Sequence, residues 1–135
     1  KDEKEKSYRK ILNFGHTFAH AFEASLNYSK KLNHGEAVIL GIISALKFSL
    51  QERTINFKDY QKIINHIDSS RLTKKIKKYF SEKDTKKILS FMIKDKKNNT
   101  DKINLILLKK IGLPIIDKAY DKYKLKFFLE KELVD

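Results

Sequence analysis

The chain reads NFGHTFAHAFEASLNYSKKLNHGE from Asn13 to Glu36, and this stretch contains three of its four histidines. Apolar residues at positions 11, 14, 18, 21 and 22, with Ser25 on the same side, follow a helical period, which predicts a first helix from about Glu5 to Leu26. A loop over residues 27–33 separates it from a second helix that runs from near His34 to about Gln51. This second segment is apolar on almost every side, so we expect a buried central helix.

The first predicted helix has an unusual polar face. Spacings of four, three, four and three residues place five side chains on one side, each about one turn from the next. They are Arg9, Asn13, His16, His20 and Glu23. A core excludes such groups, and a plain solvated surface is usually rich in Lys and Glu. The face therefore predicts a functional site.

The remaining sequence predicts a mainly α domain with one short β element, either a strand or a hairpin. Expected in order are a third helix over Phe57–Ile67 capped by Asn56, a fourth helix starting at residues 81–84, a strand over Ile103–Leu108, a turn at Gly112-Leu113-Pro114, and a closing helix from about Asp121 to Leu133.

Composition restricts the class of protein. A length of 135 residues suits one domain with a real core, and the absence of cysteine excludes a disulfide scaffold and fits a cytoplasmic protein. No apolar run approaches the roughly 20 residues that span a bilayer. The first residue is Lys1 rather than Met, so we expect a piece of a longer protein. The net charge of +13 comes mostly from dispersed lysines, which favours compositional bias over a phosphate-rich partner.

The histidines predict a metal site without fixing its ligands. Imidazoles four residues apart on a helix can reach one ion, although His16 and His20 need not both bind it. A catalytic zinc usually takes three protein ligands and keeps one open position. His34, beyond the loop, could fold back and supply a second or third ligand.

Other polar residues have weaker signals. Glu23 could orient a ligating imidazole from behind, and Glu36 could complement the dipole of the second helix. Lys96 and Lys97 lie in a predicted turn between a helix and a strand, a position that suits anion binding. His66 stands alone in a polar stretch, and we assign it no role.

The motif GHT-x-x-HA-x-E, followed by HGEAV, strongly resembles the 3-dehydroquinate synthase family. Arg9, the acidic start at residues 2–5, and the later run MIKDKK at residues 92–97 agree in order and approximate spacing. The resemblance covers nearly the whole chain and implies that residues 1–135 are the helical C-terminal domain, without the NAD-binding N-terminal domain. Ser7 and Ala19 depart from the glycines usual in the family, and the loop before His34 is slightly longer.

The resemblance also implies a metal set. His16 and His34 would be two ligands of zinc or cobalt, and the third ligand, a glutamate, would precede this segment. Glu23 would support a ligating imidazole from outside the coordination sphere.

The substrate contacts follow from the same resemblance. His20 would face the substrate as a hydrogen-bonding or proton-handling group. Arg9 and Asn13 would contact the substrate, because a guanidinium grips carboxylate or phosphate in a bidentate manner. Either Lys96 or Lys97 would contact its anionic end.

The implied activity converts 3-deoxy-D-arabino-heptulosonate 7-phosphate to 3-dehydroquinate and phosphate, with NAD as transient oxidant. The resemblance implies a homodimer at full length and a fragment inactive by itself. One alternative is another sugar phosphate cyclase such as 2-deoxy-scyllo-inosose synthase, and a less favoured one is a polyol dehydrogenase. A basic helical nucleic-acid-binding module would need its cations on one face with interleaved aromatics, which the chain lacks.

Overall fold

The computed structural model describes residues 14–93, 102–110 and 113–134. We number the helices and strands in chain order. They are α1 His16–Ser25, α2 His34–Gln51, α3 Phe57–Ser69, α4 Thr85–Met92, β1 Lys102–Lys110, β2 Leu113–Asp121 and α5 Lys122–Leu133, with single 3₁₀ turns at Ile76–Lys78 and Glu82–Asp84. The mainly α fold with one β element is confirmed. None of the helices in these ranges is long and apolar enough to cross a membrane.

Helix α1 begins later than the sequence predicts. It starts at His16, and Gly15 at its N-cap has a φ of 79°, in the left-handed region. A right-handed helix cannot continue through that conformation, so one helix from Glu5 to Leu26 is wrong. Arg9 and Asn13 lie outside the described residues.

The left-handed turn at Gly15 lies against the middle of α2. A methyl group built on Gly15 would lie 2.7 Å from the backbone nitrogen of Ile42. One built on Gly41 would lie 2.5 Å from the carbonyl oxygen of Gly15 and 2.8 Å from the Cβ of Ala19. The two backbones meet at a distance that leaves no room for a side chain, which fixes the start of α1 against α2.

Aromatic side chains anchor the side of α1 that lies away from His16 and His20. Phe18 is fully buried, and its ring centroid lies 6.4 Å from that of Phe48 on α2 and 5.9 Å from that of Phe128 on α5. Phe22 is also fully buried, and its ring centroid lies 5.4 Å from that of Phe80. Burial of such side chains stabilises the fold by about 1.5–3 kcal/mol each. The buried face of α1 therefore determines which face remains at the surface.

The central position expected for α2 is confirmed. Half of its residues are buried, and these are Ala37, Leu40, Gly41, Ile43, Ser44, Ala45, Leu46, Phe48 and Ser49. The side chain of Asn56 caps α3 by accepting a hydrogen bond from the backbone of Asp59 at 2.8 Å, as the sequence predicts. Asp121 caps the closing helix in the same way, on the backbone of Tyr123 at 2.7 Å.

The β element is a hairpin, one of the two forms that the sequence predicts, although the prediction places only the first strand. β1 pairs antiparallel with β2, from Lys102 opposite Asp121 to Lys110 opposite Leu113. The turn expected at Gly112-Leu113-Pro114 is wrong for Leu113 and Pro114, which belong to β2. Proline is tolerated there because it stands second in the strand, beside a register irregularity in β1 after Leu108.

We expect Gly41→Ala to lower the free energy of unfolding by about 1–3 kcal/mol, because the new methyl group overlaps Gly15 and Ala19. Gly35→Ala is the matched control, since a Cβ there meets only the Asn33 side chain at an ordinary 3.5 Å. Denaturant unfolding of both variants measures the difference. Equal stability of the two would show that the contact between α1 and α2 is not tight.

Candidate active site

The surface of α1 carries the two histidines of the predicted site. His16 and His20 are both exposed, and their rings stack with centroids 6.2 Å apart and planes 13° from parallel. One turn of helix separates them, as the spacing predicts. The described part of the polar face therefore consists of His16, His20 and Glu23.

Helix α1 ends in a Schellman turn, in which backbone N–H groups after the helix donate to its last carbonyls. The backbone of Tyr28 donates to the carbonyl of Glu23 at 2.8 Å, and that of Asn27 donates to Ala24 at 3.0 Å. Asn27 takes the left-handed conformation that this motif requires at its position, with a φ of 52°. The loop then leads directly to the start of α2.

A capping box fixes the first turn of α2. The Asn33 side chain accepts from the Glu36 backbone at 2.8 Å, and Glu36 Oε1 accepts from the Asn33 backbone at 3.0 Å. The other carboxylate oxygen of Glu36 accepts from the hydroxyl of buried Tyr79 at 3.0 Å. The pKa of Glu36 is lowered by the hydrogen bonds that its carboxylate accepts. The larger effect comes from the Asn33 backbone and the smaller from the Tyr79 hydroxyl. Sequence reasoning missed Tyr79, because no local signal joins residues 43 positions apart.

His34 folds back onto α1, and its partner there is Glu23. Nδ1 of His34 lies 3.1 Å from Oε2 of Glu23, with 75% of the His34 side chain exposed and 16% of the Glu23 side chain. A carboxylate only accepts hydrogen bonds, so Nδ1 carries the hydrogen and Nε2 of a neutral ring keeps its lone pair. Histidines that bind metals commonly have this carboxylate support on the second nitrogen.

The contact between Glu23 and His34 lies toward the C-terminal end of α1. Glu23, with His34 beside it, lies one turn from His20 and about 10 Å from His16 along the axis. His20 therefore lies between His16 and Glu23 along α1. Within residues 14–93, 102–110 and 113–134, no group of three His, Cys, Asp or Glu side chains could hold a metal ion.

Other expected site residues fall elsewhere. Lys96 and Lys97, like Arg9 and Asn13, are outside the described residues. His66 is exposed in the last turn of α3, and nothing gives it a role.

A cleft of about 430 Å³ has an apolar floor and a rim of lysines, and it includes none of the histidines. Its lining comes from α2, α3, the segment after α3, and α5; the residues are Ile43, Lys47, Tyr60, Ile64, Ile67, Asp68, Thr73, Lys74, Lys75, Ile76, Lys77 and Glu132. Lys47 and Glu132 form an ion pair across it at 3.1 Å. Burial raises the pKa of Tyr60 in this lining. The cleft is thus separate from the exposed face of α1.

Solved structures define the class of fold. The chain superimposes on a 2-deoxy-scyllo-inosose synthase in complex with carbaglucose-6-phosphate, NAD⁺ and Co²⁺, with a TM-score of 0.73 and 24% identity. The match covers 90% of this chain and 34% of that one. A second structure of 2-deoxy-scyllo-inosose synthase gives a TM-score of 0.68 at 21% identity. The fold therefore matches that of about a third of 2-deoxy-scyllo-inosose synthase.

Sequence comparisons give the family. The model of the 3-dehydroquinate synthase C-terminal domain matches residues 1–98. The 3-dehydroquinate synthase of Pelagibacter ubique is 55% identical over 132 residues, which cover 98% of this chain and 36% of that protein. That of Zymomonas mobilis is 35% identical over 133 residues, covering 98% and 35%. The chain belongs to the 3-dehydroquinate synthase family, and it spans about a third of the length of these relatives.

We expect the stabilising effect of the Glu36 carboxylate to depend on pH. Since its pKa is lowered in the fold, its contribution is complete above the ordinary value of 4.5 and is lost as the pH falls through the folded value. Glu36→Gln keeps a side-chain oxygen that can accept from the Asn33 backbone, but it has no charge to titrate. Wild type should be the more stable at pH 7, and the difference should shrink in urea unfolding as the pH falls below 4.5 and through the lowered pKa. A difference independent of pH would contradict this role.

Proposed function

We propose that the chain is the metal- and substrate-binding part of a 3-dehydroquinate synthase. The complete protein would convert 3-deoxy-D-arabino-heptulosonate 7-phosphate to 3-dehydroquinate and phosphate. The observation that carries the proposal is the contact between Glu23 and His34, which joins the two halves of the family motif across a loop. The 55% identity to the Pelagibacter ubique enzyme supports the choice of reaction.

The donor types present, two imidazoles with a supporting carboxylate, fit part of a metal site, but the described residues do not group three ligands. His16 and His34 would hold zinc or cobalt, with Glu23 orienting His34 so that Nε2 points away from the carboxylate. Two imidazoles are fewer than the three protein ligands of a usual catalytic site, so the third would come from the part of the protein that precedes this chain. When bound, the metal would polarise the substrate hydroxyl that is oxidised. Both ions accept the same ligands, so ligand type does not choose between them.

The remaining polar residues would bind the substrate. His20 would donate to or accept from a substrate hydroxyl through its exposed ring edge, which α1 keeps at the surface. Arg9 and Asn13 would grip an anionic group, and Lys96 or Lys97 would bind the opposite anionic end. Cationic side chains at the site would raise the association rate of a small anionic substrate, because opposite charges attract.

The rest of the protein would supply the other components. A preceding domain would bind NAD, because these relatives are almost three times as long as this chain. We also propose a homodimer at full length. The absence of cysteine suits the reducing cytoplasm, where we expect the enzyme to act.

A related cyclase activity is the second candidate, because the fold is shared with 2-deoxy-scyllo-inosose synthase. Identity favours 3-dehydroquinate synthase, at 55% and 35% against 24%. The groups that contact the substrate, rather than the scaffold, would set the choice between the reactions.

We expect the complete protein to release phosphate from 3-deoxy-D-arabino-heptulosonate 7-phosphate in the presence of NAD and zinc. Residues 1–135 alone should be inactive, because the hydride carrier would be bound elsewhere. A coupled phosphate assay over a panel of sugar phosphates provides the measurement. Turnover of glucose 6-phosphate instead of the heptulosonate would select the alternative cyclase.

We expect His16→Ala and His34→Ala in the complete protein each to lose bound zinc, because each would remove one ligand. His20→Ala should keep the metal while losing activity, and it is the matched control from the same helix face. Elemental analysis after gel filtration measures the zinc content. Full zinc occupancy in the His34→Ala variant would overturn the ligand assignment.

A further inference from the structure

We propose that Tyr28 is a positioning residue that holds the imidazole of His20 in place for the substrate. The proposal rests on the proposed function for its catalytic consequence, but its structural basis is independent of it. Tyr28 lies in the loop after α1, outside the motif that relates the chain to its family.

The backbone of Tyr28 has a strained conformation that the Schellman turn does not account for. The Schellman turn explains the left-handed conformation of Asn27, which is a residue that adopts it readily. Tyr28 is left-handed as well, with a φ of 56°, and a bulky aromatic residue there is disfavoured by its Cβ. Such conformations persist where the surrounding structure enforces them, and they cluster at functional sites.

The side chain of Tyr28 is not placed by burial. It remains 62% exposed, so the hydrophobic core does not account for its position. Its ring centroid lies 6.2 Å from that of His20, with the planes tilted by 46°. This separation is within the range in which aromatic rings attract one another.

His20 therefore has two ring neighbours. The centroid of His16 lies 6.2 Å from that of His20, and so does the centroid of Tyr28. The helix fixes His16 relative to His20, whereas the loop after α1 brings Tyr28 to its place. An exposed imidazole that lost one of these neighbours would have more rotamers open to it. Tyr28 thus restricts the ring that would meet the substrate.

Variants of the complete protein separate the ring from the hydroxyl. We expect Tyr28→Leu to lower kcat about tenfold with KM changed by less than about twofold, because misplacement of a catalytic group affects the transition state most. Tyr28→Phe keeps the ring and should remain within about twofold of wild type.

Two comparisons distinguish positioning from a merely structural role. Tyr28→Gly removes the ring but suits a positive φ, so its melting temperature should equal or exceed that of wild type while its kcat falls as in Tyr28→Leu. Tyr123→Leu is the matched control, because Tyr123 is 60% exposed and lies on α5. It should leave kcat unchanged.

The ring contact itself is measured by NMR of protein labelled at histidine, with the His20 signals assigned from His20→Ala. They should shift in Tyr28→Leu and not in Tyr123→Leu. Unchanged His20 signals would overturn the proposal, and so would an unchanged kcat in Tyr28→Leu. If wild type lacks turnover, the proposed function fails, whereas the His20 signals still decide the role of Tyr28.

Discussion

The close approach of Gly15 and Gly41 is the constraint on which the rest of the structure depends. The backbones meet where any side chain would overlap, and this contact sets both the start of α1 and its position along α2. Ala19 completes the contact, with its Cβ 2.8 Å from the place where a Cβ of Gly41 would stand. Phe18 and Phe22 then fix the rotation of α1 by burying its other face. Exposure of His16 and His20 is a consequence of this packing.

The same helix pair brings its polar groups together at the other end. The Schellman turn after α1 and the capping box at Asn33 are backbone devices, and together they place His34 against Glu23. Tyr79 adds a link from the core to Glu36, two residues after His34. Glu23 and His34 thus stand on helix ends that are fixed by hydrogen bonds, which suits a site that must be preorganised.

Much of this arrangement could be predicted from sequence. Local signals were sufficient for α2, for the Asn56 cap and for the closing helix, because periodicity and capping act within a few residues. The break at Gly15 could not be predicted, since the apolar period continues through it and only the distant Gly41 explains it. A hairpin was one of the expected forms, but β2 could not be placed because Pro114 and a short apolar run conceal a strand whose partner defines it. For the site, spacing brought the histidines to notice, whereas the pairs Glu23–His34 and Glu36–Tyr79 depend on tertiary contacts.

The most direct test of the account is anomalous scattering at the zinc edge from crystals of the complete protein, because it locates the metal relative to individual nitrogen atoms. The account predicts one zinc bonded to His16 and to Nε2 of His34, with Nδ1 of His34 still hydrogen bonded to Glu23. Zinc bonded to Nδ1 of His34, or a zinc site without His16, would contradict it.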